Sequence, residues 1–560
     1  MDGAKDKATV QVVSDTHEVT NQPPPLQDYN VYEVDAPLME GVARGKADWA
    51  EEEIRGLGAK AGSEEYIHTG YLANKHVPEL RTHDRFGNRV DEVVFHPAYH
   101  EIMRLGMEEE VHALPWNRNQ PGAHVARAAK HYIFSQIEPG PGCPLTMTFA
   151  AVPGLRQQPE LAKEWVPRIT SREYDSRLIP ASEKRGCTMG MAMTEKQGGS
   201  DVRANSTTAE PIGPEGPAQE YLLTGHKWFV SGTMSDVFLT LANTPNGLSC
   251  FLLPQFLPDG TRNVFRIQKV KDKMGNRSNA TSEVELCGSW ARMVGEECHG
   301  VRTIMEMVNH TRLDCLIGTA SIMRASLTQA LHHTSHREAF GAMLIRQPLM
   351  QNVLADMALD TEAATLLMMR LAQIYDLAQA DAKWMPLKRL LTAVAKYWVC
   401  KRAPNMVYEA LECHGGDGYV EDGPMPRLYR EAPVSSVWEG SGSVMCLDAL
   451  KTVSHIPESL PMLLEEIDGA MGSNRYFDAY VGELKKELGQ TNDLEVRARA
   501  IVSRIGLACQ AALLLQYAPN VVSEAFCAAR LGPAACLAYG TLSSGTPFQA
   551  IIDRAGQGII

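Results

Sequence analysis

The sequence predicts an α+β protein, mostly α, in which a central β domain lies between helical blocks and a further helical segment extends the C-terminus. Three observations carry this. From about 36 to 185, apolar residues recur at three- and four-residue steps, the period of an amphipathic helix. Around residue 188 the pattern changes to short apolar runs (221–224, 237–241, 249–253), punctuated by Gly225, Pro245-Asn246-Gly247 and Pro254. From about 300 helical spacing returns, as in Leu349, Val353, Leu354, Met357 and Leu366.

In chain order, residues 1–35 are polar, carry Pro23-Pro24-Pro25 and read as an extended arm. A helical domain follows over 36–187, then a β domain over 188–295, with its last strand signal at 283–286. A helical bundle spans 296–454. Pro404 falls inside a helical pattern there and predicts a kink or break. Residues 455–560 form a helical extension, with one helix expected from about Leu494 to Leu515 and ended by Pro519. His96 and His100 stand at i, i+4 without a carboxylate partner, so a structural role is favoured and no metal is expected.

With 560 residues the chain needs several packed domains. Lys and Arg total 54 against 67 Asp and Glu, a net charge of −13, which argues against a surface built wholly for nucleic acid or anionic membrane. Twelve cysteines are scattered without a C-x-x-C pair, as expected of buried thiols in a reducing compartment. No apolar run reaches the roughly 20 residues of a membrane span, and neither end resembles a signal peptide, a transit peptide or a peroxisomal signal. The expected location is the cytoplasm.

The densest chemical signal is Trp438-Glu439-Gly440-Ser441-Gly442-Ser443. Small residues let the backbone approach a flat ligand, and a carboxylate shielded beside Trp438 is tuned toward a general base. Taken alone, these residues are better accounted for by a Glu at an ordinary helix start, with glycines as turn punctuation. Met191-Ala-Met-Thr194-Glu-Lys-Gln-Gly-Gly199-Ser200-Asp201 offers amides and hydroxyls in a compact loop. Trp228-Phe229-Val230-Ser231 offers an aromatic wall and a hydroxyl, or simply a core tryptophan. Arg337, near Phe340 and Gly341, suits a pyrophosphate; Gly415-Gly416, after Glu412, suits a helix end that approaches a ligand. No G-x-G-x-x-G follows a strand, so a Rossmann domain is not indicated.

Together with Lys273 to Ser278 (K-x-G-N-R-S), R-x-x-F-G and G-G-x-G-Y, these ordered motifs closely resemble the acyl-CoA dehydrogenase superfamily. Asn21-Gln22-Pro23, Phe95-His-Pro-Ala98, 143–150 and the C-terminal extension narrow the resemblance to its AidB-like branch. The resemblance implies an N-terminal helical domain, a central antiparallel β-barrel domain, a helical bundle and a homotetramer binding FAD. It implies that Met191, Thr194, Gly199, Ser200, Trp228, Phe229, Val230 and Ser231 contact the flavin or its phosphates, with Trp438, Gly440, Ser441 and Ser443. Arg337 and Gln347 would reach the pyrophosphate of a neighbouring subunit's FAD, and Phe340, Glu412, Gly415 and Gly416 would also belong to the cofactor site. Glu439 would take the α-proton of an acyl-CoA thioester as a β-hydride passes to flavin N5, with Arg312 positioning it. Some family members carry their base just before that arginine, where this chain has Thr311.

Val230 stands where a hydroxyl-bearing Thr is usual, Glu412 replaces a Gln, and Ser443 replaces an Asn. An electron-transferring flavoprotein or oxygen would be the electron acceptor. The AidB branch is also associated with duplex DNA and with weak turnover, which leaves DNA binding or acyl-CoA sequestration as the alternative. From 452 to 560, eight basic residues face eleven acids, a net −3 that does not favour DNA. Arg497 and Arg504 are the one candidate stripe.

Overall fold

The computed structural model describes residues 16–560; the first fifteen residues of the expected arm lie outside the described residues. Residues 16–35 form no helix, and Asn21 ties this arm to a distant loop through side-chain bonds with both the N–H and the C=O of Glu338 (2.7 and 2.9 Å).

The first helical block comprises α1 (Ala36–Arg44), α2 (Glu51–Ala61), α3 (Glu64–Lys75), α4 (Pro97–Glu108), α5 (Leu114–Asn117), α6 (Ala123–Ile137), α7 (Gly142–Leu155) and α8 (Pro159–Ile169). Local chemistry starts these helices. Asp35 accepts the Leu38 amide at the head of α1, Ser63 accepts that of Tyr66 on α3, and His96 accepts that of Ala98 on α4. His100 meets the Tyr174 hydroxyl at 2.8 Å. A hairpin of β1 (Glu79–His83) and β2 (Arg89–Val94) interrupts the block, where helical periodicity alone gave no strand.

The β domain holds β3 (Met189–Ala192), β4 (Thr208–Pro211), β5 (Glu220–Ser231), β6 (Val237–Thr244), β7 (Gly247–Pro254), β8 (Arg266–Val270) and β9 (Thr281–Val294) in one seven-stranded sheet. Its strand order is β3-β5-β4-β6-β7-β9-β8, and a β5–β9 ladder curls it back on itself. The sheet is antiparallel except against β6, where β3 runs parallel from Met189 beside Val237 and β4 makes one parallel pairing, Thr208 with Asn243. The last strand outruns the apolar signal at 283–286 and ends at Val294.

Next come α9 (Gly300–His336), a ribbon of β10 (Glu338–Ala339) and β11 (Ala342–Met343), α10 (Pro348–Ala380), α11 (Met385–Glu412), α12 (Met425–Glu431) and α13 (Gly442–His455). Pro404 does not break α11, which is hydrogen-bonded as one helix through it. The extension adds α14 (Ser459–Asp468), α15 (Arg475–Leu488), α16 (Leu494–Tyr517), α17 (Asn520–Leu531) and α18 (Phe548–Ala555). By length and composition α16 is apolar enough to cross a membrane, contrary to the sequence expectation. Here most of its apolar second half is buried against α10, α11 and α13–α15, as a core helix is. One hydrophobic core runs through both helical blocks and the extension, and two smaller ones sit on either side of the sheet.

Candidate active site

A cavity of about 580 Å³ lies where α6, α7, the β domain, α9 and the 431–448 segment meet. Glu439 faces it from the loop before α13, with a left-handed φ of 57° that is costly for a residue with a side chain. Three groups hold that backbone in place. Lys396 on α11 donates to the carbonyls of Trp438 (2.9 Å) and Gly440 (2.5 Å), and Arg312 Nε donates to the Glu439 carbonyl (2.9 Å). Arg312 is itself fixed by Asp448 (2.9 Å), which Arg389 also grips (2.6 Å).

The Glu439 carboxylate receives one hydrogen bond, from Thr311 Oγ1 to Oε2 at 2.7 Å. Burial pushes its pKa above the usual carboxylate value; Thr311 and the charges of Arg312 and Lys396 pull it part of the way back. Cys143 also lines the cavity, but burial pushes its thiol up to about 12, which leaves it protonated and a poor nucleophile.

Of the expected site residues, Glu439, Arg312, Met191, Thr194, Gly199, Ser200, Phe229, Ser231, Trp438, Gly440 and Ser441 all line this cavity. Their geometry suits a flat, polar-edged cofactor such as FAD. The buried Trp438 indole N–H has no protein partner. Gly440 (φ 108°) lies so close to Val444 and Arg312 that a Cβ would come within 3.3–3.4 Å of them, and a Cβ on Gly199 would come within 3.0 Å of Thr194. The backbone is therefore brought close at two points, with an unspent donor between apolar walls.

Other expected residues lie off this cavity. Val230 is fully buried in the core of the β domain, because alternate residues of β5 face opposite ways; Phe229 and Ser231 have the cavity side. The hydroxyl on this strand is thus that of Ser231, 3.1 Å from Thr281 Oγ1. Trp228 lies outside the lining, its ring covered by the Lys271 ammonium at 3.7 Å. Ser443 is exposed on the first turn of α13.

Arg337, Phe340 and Gln347 follow the C-terminus of α9, roughly 40 Å along the helix from Thr311. There the His333 and His414 rings, 4.6 Å apart, join α9 to the end of α11 that bears Glu412, Gly415 and Gly416. Asn21 O accepts from Arg337 (2.6 Å), Gln347 donates to Ala339 O (3.1 Å), and Glu412 accepts from Tyr408 (3.3 Å). Among the described residues, no segment of the same chain brings this second cluster to the cavity.

Sequence reasoning missed Lys396, Arg389 and Asp448, which belong to no motif, and it saw Thr311 only as an empty base position. It also missed Glu431, a buried cavity-wall carboxyl that accepts the Asn276 amide (2.6 Å).

Residues 21–176 match the family described as the adaptive response protein AidB N-terminal domain. Residues 190–288 match the acyl-CoA dehydrogenase middle domain, and 298–453 the acyl-CoA dehydrogenase C-terminal domain. The chain is 44% identical over 514 residues to the putative acyl-CoA dehydrogenase AidB of Escherichia coli, covering 91% of this chain and 94% of that protein. It is 32% identical over 444 residues to acyl-CoA dehydrogenase family member 11 of Caenorhabditis elegans, covering 75% of this chain and 70% of the relative. The crystal structure of C. elegans ACDH-11 in complex with C11-CoA superposes with a TM-score of 0.82 at 27% identity, covering 98% of this chain and 94% of that one.

Proposed function

The chain belongs to the acyl-CoA dehydrogenase family, in its AidB branch, and we propose that it oxidises an acyl-CoA thioester across Cα–Cβ with Glu439 as the base. FAD is the cofactor of the family, and when bound it accepts the hydride leaving the substrate's β-carbon. The residues of this chain do the rest. Thr311 fixes Glu439 Oε2, so the other carboxylate oxygen is left to take the α-proton. Burial makes that carboxylate a stronger base than one in water. Lys396 and Arg312 hold its backbone, so the base need not reorganise as the proton moves. Met147, Met191, Val308 and Val444 wall the cavity and exclude water.

The observation that carries this reading is a buried, hydrogen-bonded carboxylate opposite the Thr194–Ser200 loop across one cavity. The exposed second cluster, with Phe340 99% and Tyr419 84% exposed, supports a homotetramer in which a neighbour's FAD meets Arg337 and Gln347. Reoxidation falls to an electron-transferring flavoprotein or to oxygen.

The test is an anaerobic titration of the holoprotein with acyl-CoA thioesters, read by flavin absorbance. Wild type bleaches. Glu439→Gln bleaches slower by about 10²–10⁴, the worth of a positioned general base, while still binding the thioester. An unchanged rate in the variant overturns the mechanism, and a wild-type flavin that shifts without bleaching points to sequestration. For duplex DNA the structure adds no support: Arg497 and Arg504 both pair with Glu487. A salt-dependent mobility shift with duplex is the result that reinstates that reading.

A further inference from the structure

The cavity follows α9 from Val301 to Ile322, about 32 Å of helix at 1.5 Å per residue. Glu439 is pinned at Thr311, so the cavity runs on past the base in both directions. The two ends differ. At one, Val301 and Met305 are partly exposed and Arg302 is exposed; at the other, His131, Ser135 and Ile322 are 3–4% exposed between α6 and α9. A charged nucleotide thioester head stays at the open end, because burying unpaired phosphates is prohibitive. What enters the closed end is therefore the acyl tail.

Cys315, Gly318 and Ile322 lie four, seven and eleven residues beyond Thr311, on one face of α9. Glycine in the middle of a 37-residue helix is locally unfavourable, and Gly318 has no backbone need for it, since its φ is not left-handed. Nor does packing require it. A Cβ on Gly41 or Gly506 would strike Met369 or Trp398 at 2.7–2.8 Å, whereas one on Gly318 meets nothing within 4 Å. The space that a side chain would fill there is cavity.

We infer that Gly318 is a specificity-determining residue that keeps the inner end of the cavity open for acyl chains of medium or greater length; this rests on the acyl-CoA reading above. Each methylene that enters the closed end leaves water, and affinity rises about fourfold per methylene until the end is full. A larger side chain at 318 truncates that gain.

The test uses S-alkyl-CoA thioethers, from butyl- to lauryl-CoA, bound to the holoprotein and measured by calorimetry. These probes cannot be oxidised, so the series reads pocket depth whether or not the chain turns over. In wild type, affinity climbs with length, and in Gly318→Leu the lauryl-to-butyl affinity ratio falls by about a hundredfold or more, the loss of several buried methylenes. Gly318→Ala, which suits the helix, gives a smaller fall in the same ratio and guards against a Leu variant that does not fold. A wild type indifferent to length, or a ratio unchanged by both substitutions, overturns the inference. Length-dependent binding without flavin bleaching by any thioester sinks the dehydrogenase reading and leaves this one standing.

Discussion

At the residue scale, the proposed function turns on how one carboxyl is kept both buried and chargeable. Burial pushes the Glu439 pKa up, and the Thr311 hydroxyl, donating to Oε2, pulls it part of the way back. Thr311→Val keeps the shape and removes the donor. The Glu439 pKa then rises further, so the acid limb of kcat/KM moves to higher pH by about one unit, the worth of a hydrogen bond to a charged group. The alkaline plateau changes less, since there the carboxylate is ionised in both proteins. A limb that stays put removes Thr311 from the mechanism. Lys396 acts through backbone instead. Lys396→Met frees the Trp438 and Gly440 carbonyls, the left-handed Glu439 relaxes, and kcat drops on the order of a hundredfold, as for a base displaced by about 1 Å. Thioester binding in that variant, read by calorimetry, falls far less.

At the element scale, α9 is the spine of the site. It presents Thr311 and Arg312 to Glu439 about a third of the way along, the proposed acyl wall beyond them, and Arg337 just past its end. Beside it, α12 delivers Glu431 against Glu138 at the end of α6. Glu138 accepts from Ser278 (2.8 Å) and pairs with Arg427 (3.3 Å), whereas Glu431 accepts from the Asn276 amide. Burial first, and the Glu138 charge second, push Glu431 up to about 8. Between the unfolded value near 4.5 and 8 the unfolded chain ionises here and the native one does not, so this pair's contribution to stability is full in acid and declines as pH rises to 8. Glu431→Gln flattens that decline. Its melting temperature relative to wild type is expected to be higher at pH 8 than at pH 5, and the opposite order contradicts the assignment.

The same elements show why part of the site was legible and part was not. Trp438-Glu439 and the Thr194–Ser200 loop are each an unbroken run of sequence, and the small residues in or beside them mark a close backbone approach before any fold is known. Lys396 and Asp448 act by meeting that loop from other helices, and nothing local distinguishes them from solvated charges. The Val230 side chain lies off the cavity for a simpler reason: a motif assigns neighbours alike, while a strand turns alternate residues to opposite faces. The β1–β2 hairpin was missed because its few apolar residues were absorbed into the helical period around them.

At the scale of the whole molecule, the C-terminal extension is joined to the bundle by buried charge. Arg530 on α17 pairs with Asp356 and Asp360 of α10; Asp360 also accepts from Arg402 (2.6 Å) and Tyr539 (2.8 Å). Arg554 on α18 reaches Glu40 and Glu362 at 2.9 and 2.8 Å, tying in the first helix as well. These pairs consume basic residues that a phosphate-binding face would have to present. Such a network contributes little over an apolar packing of the same shape, but breaking one side of it is costly, because the other charge stays buried. Arg530→Met strands Asp356, which is fully buried and whose carboxyl burial already pushes up. The expected loss is about 3–5 kcal/mol at neutral pH, seen as a lower denaturation midpoint. Lowering the pH narrows the gap between variant and wild type, since a protonated Asp356 no longer needs its partner. A gap that does not change with pH would mean that Arg530 holds the extension by packing, with its charge irrelevant.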